Sequence, residues 1–185
     1  MIKLADVEPD YEAFTHVFAD TETTGVDKYA EVVEVTMTEF NKKGELGATI
    51  TYMCEPMAGF IPAGASKVNG IHMDDVRGFP SYLRGGVRED CASFLGKRCF
   101  CAHNADFDVK MMKIKPAAID CSLSRARKMW PSQPNNLKAA CIRAGISWNE
   151  EEAHRASYDV SKGVELMLYL WNTVKVSNNT FLDDI

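Results

Sequence analysis

Two acids close an apolar run near the start of the chain, and few strands can carry them there. In His16-Val17-Phe18-Ala19-Asp20-Thr21-Glu22 the residues as far as Ala19 read as a strand entering a core, and Asp20 and Glu22 follow in its register. Side chains two apart on a strand share a face, with Cα atoms about 6–7 Å apart. Carboxylates desolvated side by side are unfavourable unless positive charge lies between them. The segment therefore either emerges into water at this point or builds a site for a divalent cation. Val17, Ala19 and Thr21 fill the opposite face, while Thr23, Thr24 and Gly25 supply the turn that ends the strand.

The β-branched alternation of residues 31–40 predicts a second strand, and Asn41-Lys-Lys-Gly44 turns it into a third over 48–53. Three strands joined by short turns form an antiparallel meander. Residues 56–80, rich in Gly and Pro, read as loop with a short helix around 65–68, a candidate substrate-facing segment. Helical spacing then covers 82–95, followed by a strand at 98–102, a helix at 107–114, a short strand at 117–121, and helices at 123–129 and 136–144, the last capped by Gly145. Val160, Val164, Met167, Leu168, Trp171 and Val174 stripe a final helix. Strands first, then strands alternating with helices, give an α/β fold: a mixed five-stranded sheet, its first three strands antiparallel, with helices on both faces.

The chain has 185 residues, enough for one domain with a real core; 1–176 read as that domain and 177–185 as a frayed polar tail. A net charge of −5 argues against a cation-coated protein, although acids gathered at a metal site inflate the negative count. The six cysteines lie in apolar segments without a Cys-x-x-Cys pair, so they read as reduced core thiols rather than a zinc or redox centre. The acidic start lacks a signal-peptide stretch and the last apolar segment is too short to span a bilayer; a cytoplasmic location without membrane partners is the expectation.

Two further segments carry acids where a fold would need a reason for them. His103-Asn104-Ala105-Asp106-Phe107-Asp108 sits at a strand-to-helix junction, where side chains reach the rim of a sheet and Asp106 or Asn104 can cap the helix. His154-Arg155-Ala156-Ser157-Tyr158-Asp159 leads into the final helix, with Asp159 beside apolar Val160. Singly, each acid reads as a cap or half of an ion pair. Together with Asp20 and Glu22 they make four carboxylates that could not pack closely without cations.

In this order and context, Asp20-x-Glu22 with Thr-Thr-Gly, His103-Asn-Ala-x-Phe-Asp108, and His154 five residues before Asp159 resemble the three motifs of the DEDDh, or DnaQ-like, 3′-to-5′ exonucleases. That family includes the proofreading epsilon subunit of bacterial DNA polymerase III. Val68-Asn69-Gly70-Ile71 is similar to the family's Val-His-Gly-Ile segment, with Asn69 where His is usual, and 119–121 and 136–138 also resemble family segments. Arg155 stands where the tyrosine branch of the family has Tyr, and His154 stands where the histidine branch has its base.

The resemblance implies a ribonuclease H-like fold and two Mg²⁺ or Mn²⁺ ions held by Asp20, Glu22, Asp108 and Asp159, all hard oxygen donors. It implies that His154 is the base that takes the proton of the attacking water. Thr23 and Gly25 would contact the terminal nucleotide, joined by His103, Asn104 and Phe107, with packing as the competing role for His103 and Phe107. Lys110, Lys113, Lys115, Arg125, Arg127 and Lys128 are candidates for a phosphate-tracking strip. The implied partner is the 3′ end of single-stranded DNA or RNA, with a DNA polymerase as a further partner in the proofreading case; the oligomeric state stays open. The chain ends soon after its last helix, so freestanding, phage-type, repair and RNA-trimming roles are expected alongside proofreading. Three other classes compete. An inactive nucleic-acid-binding module would gain stability by shedding clustered acids. An HAD-type phosphatase needs Asp at position 22, and a thiol-redox protein needs Cys-x-x-Cys.

Overall fold

Phe18 and its neighbours explain why the first strand is central, because Val17 and Ala19 point to one face and Phe18 to the other, and all three are buried. The computed structural model describes residue 10 and residues 12–179, with side chains through 173. Strands β1 (His16–Thr23), β2 (Val32–Phe40), β3 (Leu46–Met53), β4 (Cys99–Ala102) and β5 (Ala118–Cys121) form one sheet in the order β3-β2-β1-β4-β5. β1 and β2, and β2 and β3, pair antiparallel, while β4 runs parallel to both β1 and β5. The expected mixed five-stranded sheet and its antiparallel meander are borne out. In the β1–β2 ladder Asp20 faces Thr36 and Glu22 faces Glu34, with a register shift between Glu22 and Thr23 where the strand ends.

The helices are α1 (Ala63–Asn69), α2 (Met73–Val76), α3 (Val87–Leu95), α4 (Ala105–Met112), α5 (Ser122–Met129), α6 (Leu137–Arg143) and α7 (Ala156–Asn179). α3 and α4 bring Val87, Cys91, Phe94, Met111 and Met112 onto the Val17 and Ala19 face. α7 lays Val160, Val164, Met167 and Trp171 against Phe18 and Phe40 on the other. Gly163 allows that approach: a Cβ there would collide with the ring of Phe18. Since Phe18, Asp20 and Glu22 share a face, the acids of β1 project toward the start of α7.

Several elements differ from the sequence expectation. α3 begins at Val87, because Gly86 takes φ 83° and Tyr82 donates its hydroxyl to the Met112 carbonyl (3.0 Å) instead of continuing a helical stripe. α4 spans 105–112 rather than 107–114, stopped by Lys113 in the left-handed region. Neither Asn104 nor Asp106 caps it with a side chain; Asp106 is exposed. The second short helix, α2, went unforeseen because its reciprocal cap uses His72 and Asp75 rather than a Ser or Thr signal. α7 is helical through Asn179, past Ser177, where fraying was expected; residues 180–185 of the expected tail, and the side chain of Val174, lie outside the described residues. Gly145 takes φ 76° after α6, and the Ile146 amide reaches the Cys141 carbonyl (2.9 Å), the expected C-terminal cap. All six cysteines are free thiols.

Among the described residues no helix is long and apolar enough to cross a membrane. Replacing Gly163 with Ala should push α7 off β1, since Phe18 is fully enclosed and cannot yield. We expect a loss of about 1–3 kcal/mol, the range for overpacking a core, read from the midpoint of urea unfolding. An unchanged midpoint would show that the helix does not rest on this contact.

Candidate active site

The acids of β1 meet α4 and α7 at one end of the sheet. Glu22, at the last turn of β1, is buried, and α7 contributes Asp159 from its first turn, also buried. His154, exposed at the loop before α7 and held at φ 63°, completes a group in which one ligand-type atom from each of Glu22, His154 and Asp159 lies within 4.8 Å of the others. Asp20 and Asp108 stand outside that tightest group. They belong to the same electrostatic cluster: burial, then Asp108, Glu22 and Asp159 in turn, push the Asp20 carboxyl well above the usual range. Asp108, on the first turn of α4, is buried and accepts a hydrogen bond from the Thr21 hydroxyl (2.9 Å).

Every acid of the set resists ionisation. Burial raises Glu22 to about 8, reinforced by Asp159 and Glu34 and opposed by the Asn69 amide beside it. Burial raises Asp108 to about 7 against the pull of the Thr21 hydrogen bond. Asp159 is pushed up to about 6 by burial, with the nearby His154 opposing. Among the described residues, Asp159 Oδ1 is a buried oxygen with no hydrogen-bond partner. An uncompensated oxygen facing other carboxylates is the arrangement a cation would complete, and Glu22, His154 and Asp159 could hold one ion jointly.

The remaining candidates divide. Thr23 spends its hydroxyl on the Gly25 carbonyl (2.6 Å), fixing the turn after β1. Gly25 is not demanded by the fold, since a Cβ would meet only the Ala30 Cβ at an ordinary 3.9 Å. Both ring nitrogens of His103 are taken, Nε2 donating to the Asn135 carbonyl (2.9 Å) and Nδ1 paired with the Ser122 hydroxyl (2.9 Å). Burial lowers its pKa to about 4, so it is a neutral brace between β4 and α5. Asn104 is exposed in the left-handed region at φ 79°, and Phe107 is half-buried against the core. Arg125 is not a free member of the cationic strip: Asp120 grips it at 2.5 and 2.6 Å, while Trp171 also donates to Asp120.

The sequence reading missed Glu34. The alternation of residues 31–40 predicts only a strand, and every residue of β2 is buried, because α7 lies against it. Glu34 is 2% exposed beside Glu22 and receives two hydrogen bonds from Arg155. An acid between Val33 and Val35 was the available signal.

Comparison with known proteins decides the family, as its exonuclease profile matches residues 17–167. The chain belongs to the RNase T exonuclease family. Ribonuclease T of Shewanella oneidensis is 27% identical over 195 positions, 89% of this chain and 85% of that protein. DNA polymerase III subunit epsilon of Haemophilus influenzae is 26% identical over 161 positions, 77% of this chain and 62% of that protein. Exonuclease X in complex with 5′ overhanging duplex DNA superposes with a TM-score of 0.71 at 21% identity, covering 85% of this chain and 92% of that one. E. coli exonuclease I with a dT13 oligonucleotide gives 0.73 at 18%, over 90% and 43%. The structural likenesses speak for the RNase H-like fold, and the family match makes this exonuclease-family chain a DnaQ-like nuclease of a metal-dependent type.

A pH dependence follows from the raised carboxyls. A group whose folded pKa exceeds its unfolded value binds its proton more tightly in the folded chain, so the metal-free fold loses stability as pH rises through about 6, 7 and 8 for Asp159, Asp108 and Glu22. Cations that bind the ionised acids oppose this loss. The gap in Tm between protein with saturating Mn²⁺ and protein in EDTA should therefore widen from pH 6 to pH 8, accompanied by proton release in calorimetric titrations. A gap constant across that range would show that these acids do not bind the ion.

Proposed function

We propose that this chain is a 3′-to-5′ exonuclease that removes nucleoside 5′-monophosphates from single-stranded DNA or RNA with the help of two Mg²⁺ or Mn²⁺ ions. The observation that carries the reading is the convergence of Asp20, Glu22, Asp108 and Asp159 at one end of the sheet, each raised above the ordinary carboxylate range, with one Asp159 oxygen left unpartnered. Those four residues would hold the ions, whose chemistry when bound is to neutralise the scissile phosphate and to ready water as a nucleophile. The exonuclease I and exonuclease X structures that resemble this fold contain DNA, which supports a nucleic-acid substrate. The relation to polymerase III epsilon supports association with a polymerase as one biological setting. Residues 1–176 would form the exonuclease domain, with 177–185 as its tail.

The chain's own residues supply the rest. Hydrolysis takes one proton from water as its oxygen bonds phosphorus and the P–O3′ bond breaks; His154 accepts that proton on an imidazole nitrogen and, being exposed, passes it to solvent, while the leaving O3′ takes up a proton from solvent to become the 3′-hydroxyl of the shortened strand. Thr21 fixes the orientation of the Asp108 carboxylate through its 2.9 Å hydrogen bond. Asn69 donates to the Thr23 carbonyl (3.3 Å) and holds the end of β1, so Glu22 is presented from a braced turn. Gly25, where a Cβ would meet only the Ala30 Cβ at 3.9 Å, leaves room for the terminal nucleotide, and Asn104, Phe107 and His103 are its further proposed contacts.

The test is digestion of 5′-labelled single-stranded DNA and RNA oligonucleotides with Mg²⁺, Mn²⁺ or EDTA. We expect stepwise shortening from the 3′ end, abolished by EDTA and by Asp108→Ala, and a rate lowered about 10²- to 10⁴-fold by His154→Ala, the range for losing a general base. Wild-type protein that binds these oligonucleotides without cutting them would replace the enzyme with the inactive binding module. An unchanged rate in His154→Ala would remove the histidine from proton transfer.

A further inference from the structure

Among the described residues of this region, Glu34 is the buried acid that an arginine pairs. It sits on β2 opposite Glu22, 2% exposed, where a like charge across a strand pair is unfavourable. Arg155 meets it with both arms of the guanidinium, Nη2 donating to Oε1 at 3.0 Å and Nε to Oε2 at 3.3 Å. The Ala156 amide donates to the same Oε2 at 3.3 Å, so the carboxylate also receives the first turn of α7. The backbone carbonyl of Arg155 in turn accepts from the Asp159 amide at 3.0 Å. Glu34 thus binds the two residues that follow His154 and, through Arg155, the start of the turn that carries Asp159.

That arrangement has a cost without local benefit unless position matters. A buried ion pair gains little over apolar packing, and His154 is forced into the left-handed region that only glycine adopts freely. A left-handed histidine persists where its surroundings over-determine it, and here the over-determination lies on its C-terminal side, in the Glu34 contacts. We infer that Glu34 and Arg155 are a positioning pair, which sets the angle at which His154 and Asp159 face the β1 acids. The inference rests on the exonuclease reading above. Among the described residues, the group close enough to hold an ion jointly is Glu22, His154 and Asp159, and Glu34 is not in it.

The test is steady-state kinetics on the single-stranded oligonucleotide that the wild type digests, with Mn²⁺, for Arg155→Ala, Arg155→Lys and the paired Glu34→Gln/Arg155→Gln, which leaves no buried unpaired charge. Arg155 is half exposed, so its loss empties no core space. We expect Arg155→Ala to lower kcat about 10- to 100-fold, the range for residues that orient catalytic ligands, with KM unchanged, partial recovery on adding guanidinium, and Arg155→Lys to remain impaired because it cannot fork. The paired variant should fold and show the same kcat loss. Equal kcat in a folded Arg155→Ala or paired variant, or a loss confined to KM, would overturn the positioning role. A wild type inert on every oligonucleotide would overturn the exonuclease reading instead, whereas activity lost in the variants alone supports the pair.

Discussion

Everything at this end of the sheet depends on how four carboxylates are brought out of water together. Asp20 and Glu22 share a face of β1, Asp108 arrives on α4 and Asp159 on α7. Helix and strand geometry alone would let the acids relax outward; packing prevents it. Phe18, one step before Asp20, is locked between Phe40 and α7, and Gly163 lets the helix come close enough that Asp159 cannot withdraw. The apolar core therefore sets the spacing of the charges, and the charges respond by holding their protons.

The two sides of the sheet contribute differently. On the Val17 face, α3 and α4 pack conventionally, and Asp108 is anchored by a hydroxyl from the same strand. On the Phe18 face the helix that carries Asp159 also follows the loop that carries His154, so one stretch of backbone brings a ligand-type acid and an exposed imidazole together. Such coupling makes the first turn of α7 the most consequential segment outside β1. Small changes in its tilt move both groups relative to Glu22.

Much of this was legible in the residues. The parity of Asp20 and Glu22, the strand-to-helix junction before Asp108 and the five-residue step from His154 to Asp159 each correspond to a real position, because these are local relations that a strand or helix period fixes. Boundaries failed where single residues took left-handed backbone, at Gly86 and Lys113, since the apolar stripe continues past them. Glu34 failed for a different reason. Its neighbours alternate as on any strand, and only the tertiary fact that α7 lies over β2 buries it. His103 was readable as a motif residue, but not as a brace whose two nitrogens are both consumed by groups 19 and 32 residues away.

β2 contains an internal comparison that separates a structural ion pair from one tied to the site. At its far end Glu39 is paired with Arg98; both side chains are essentially buried, at 1% and 3%, and Glu39 also accepts from the Ala48 amide at 2.9 Å. That pair closes the far end of the strand. At the near end Glu34 is equally buried, but its partner Arg155 is 51% exposed and belongs to the backbone stretch that presents His154. A pair required only for stability has no reason to place its cation on the rim, where solvent weakens it. Placed on the rim, the guanidinium can neutralise Glu34 while its own backbone steers the adjacent histidine. The same strand thus uses glutamate and arginine twice, once to seal the fold and once to hold the mouth of the site in shape.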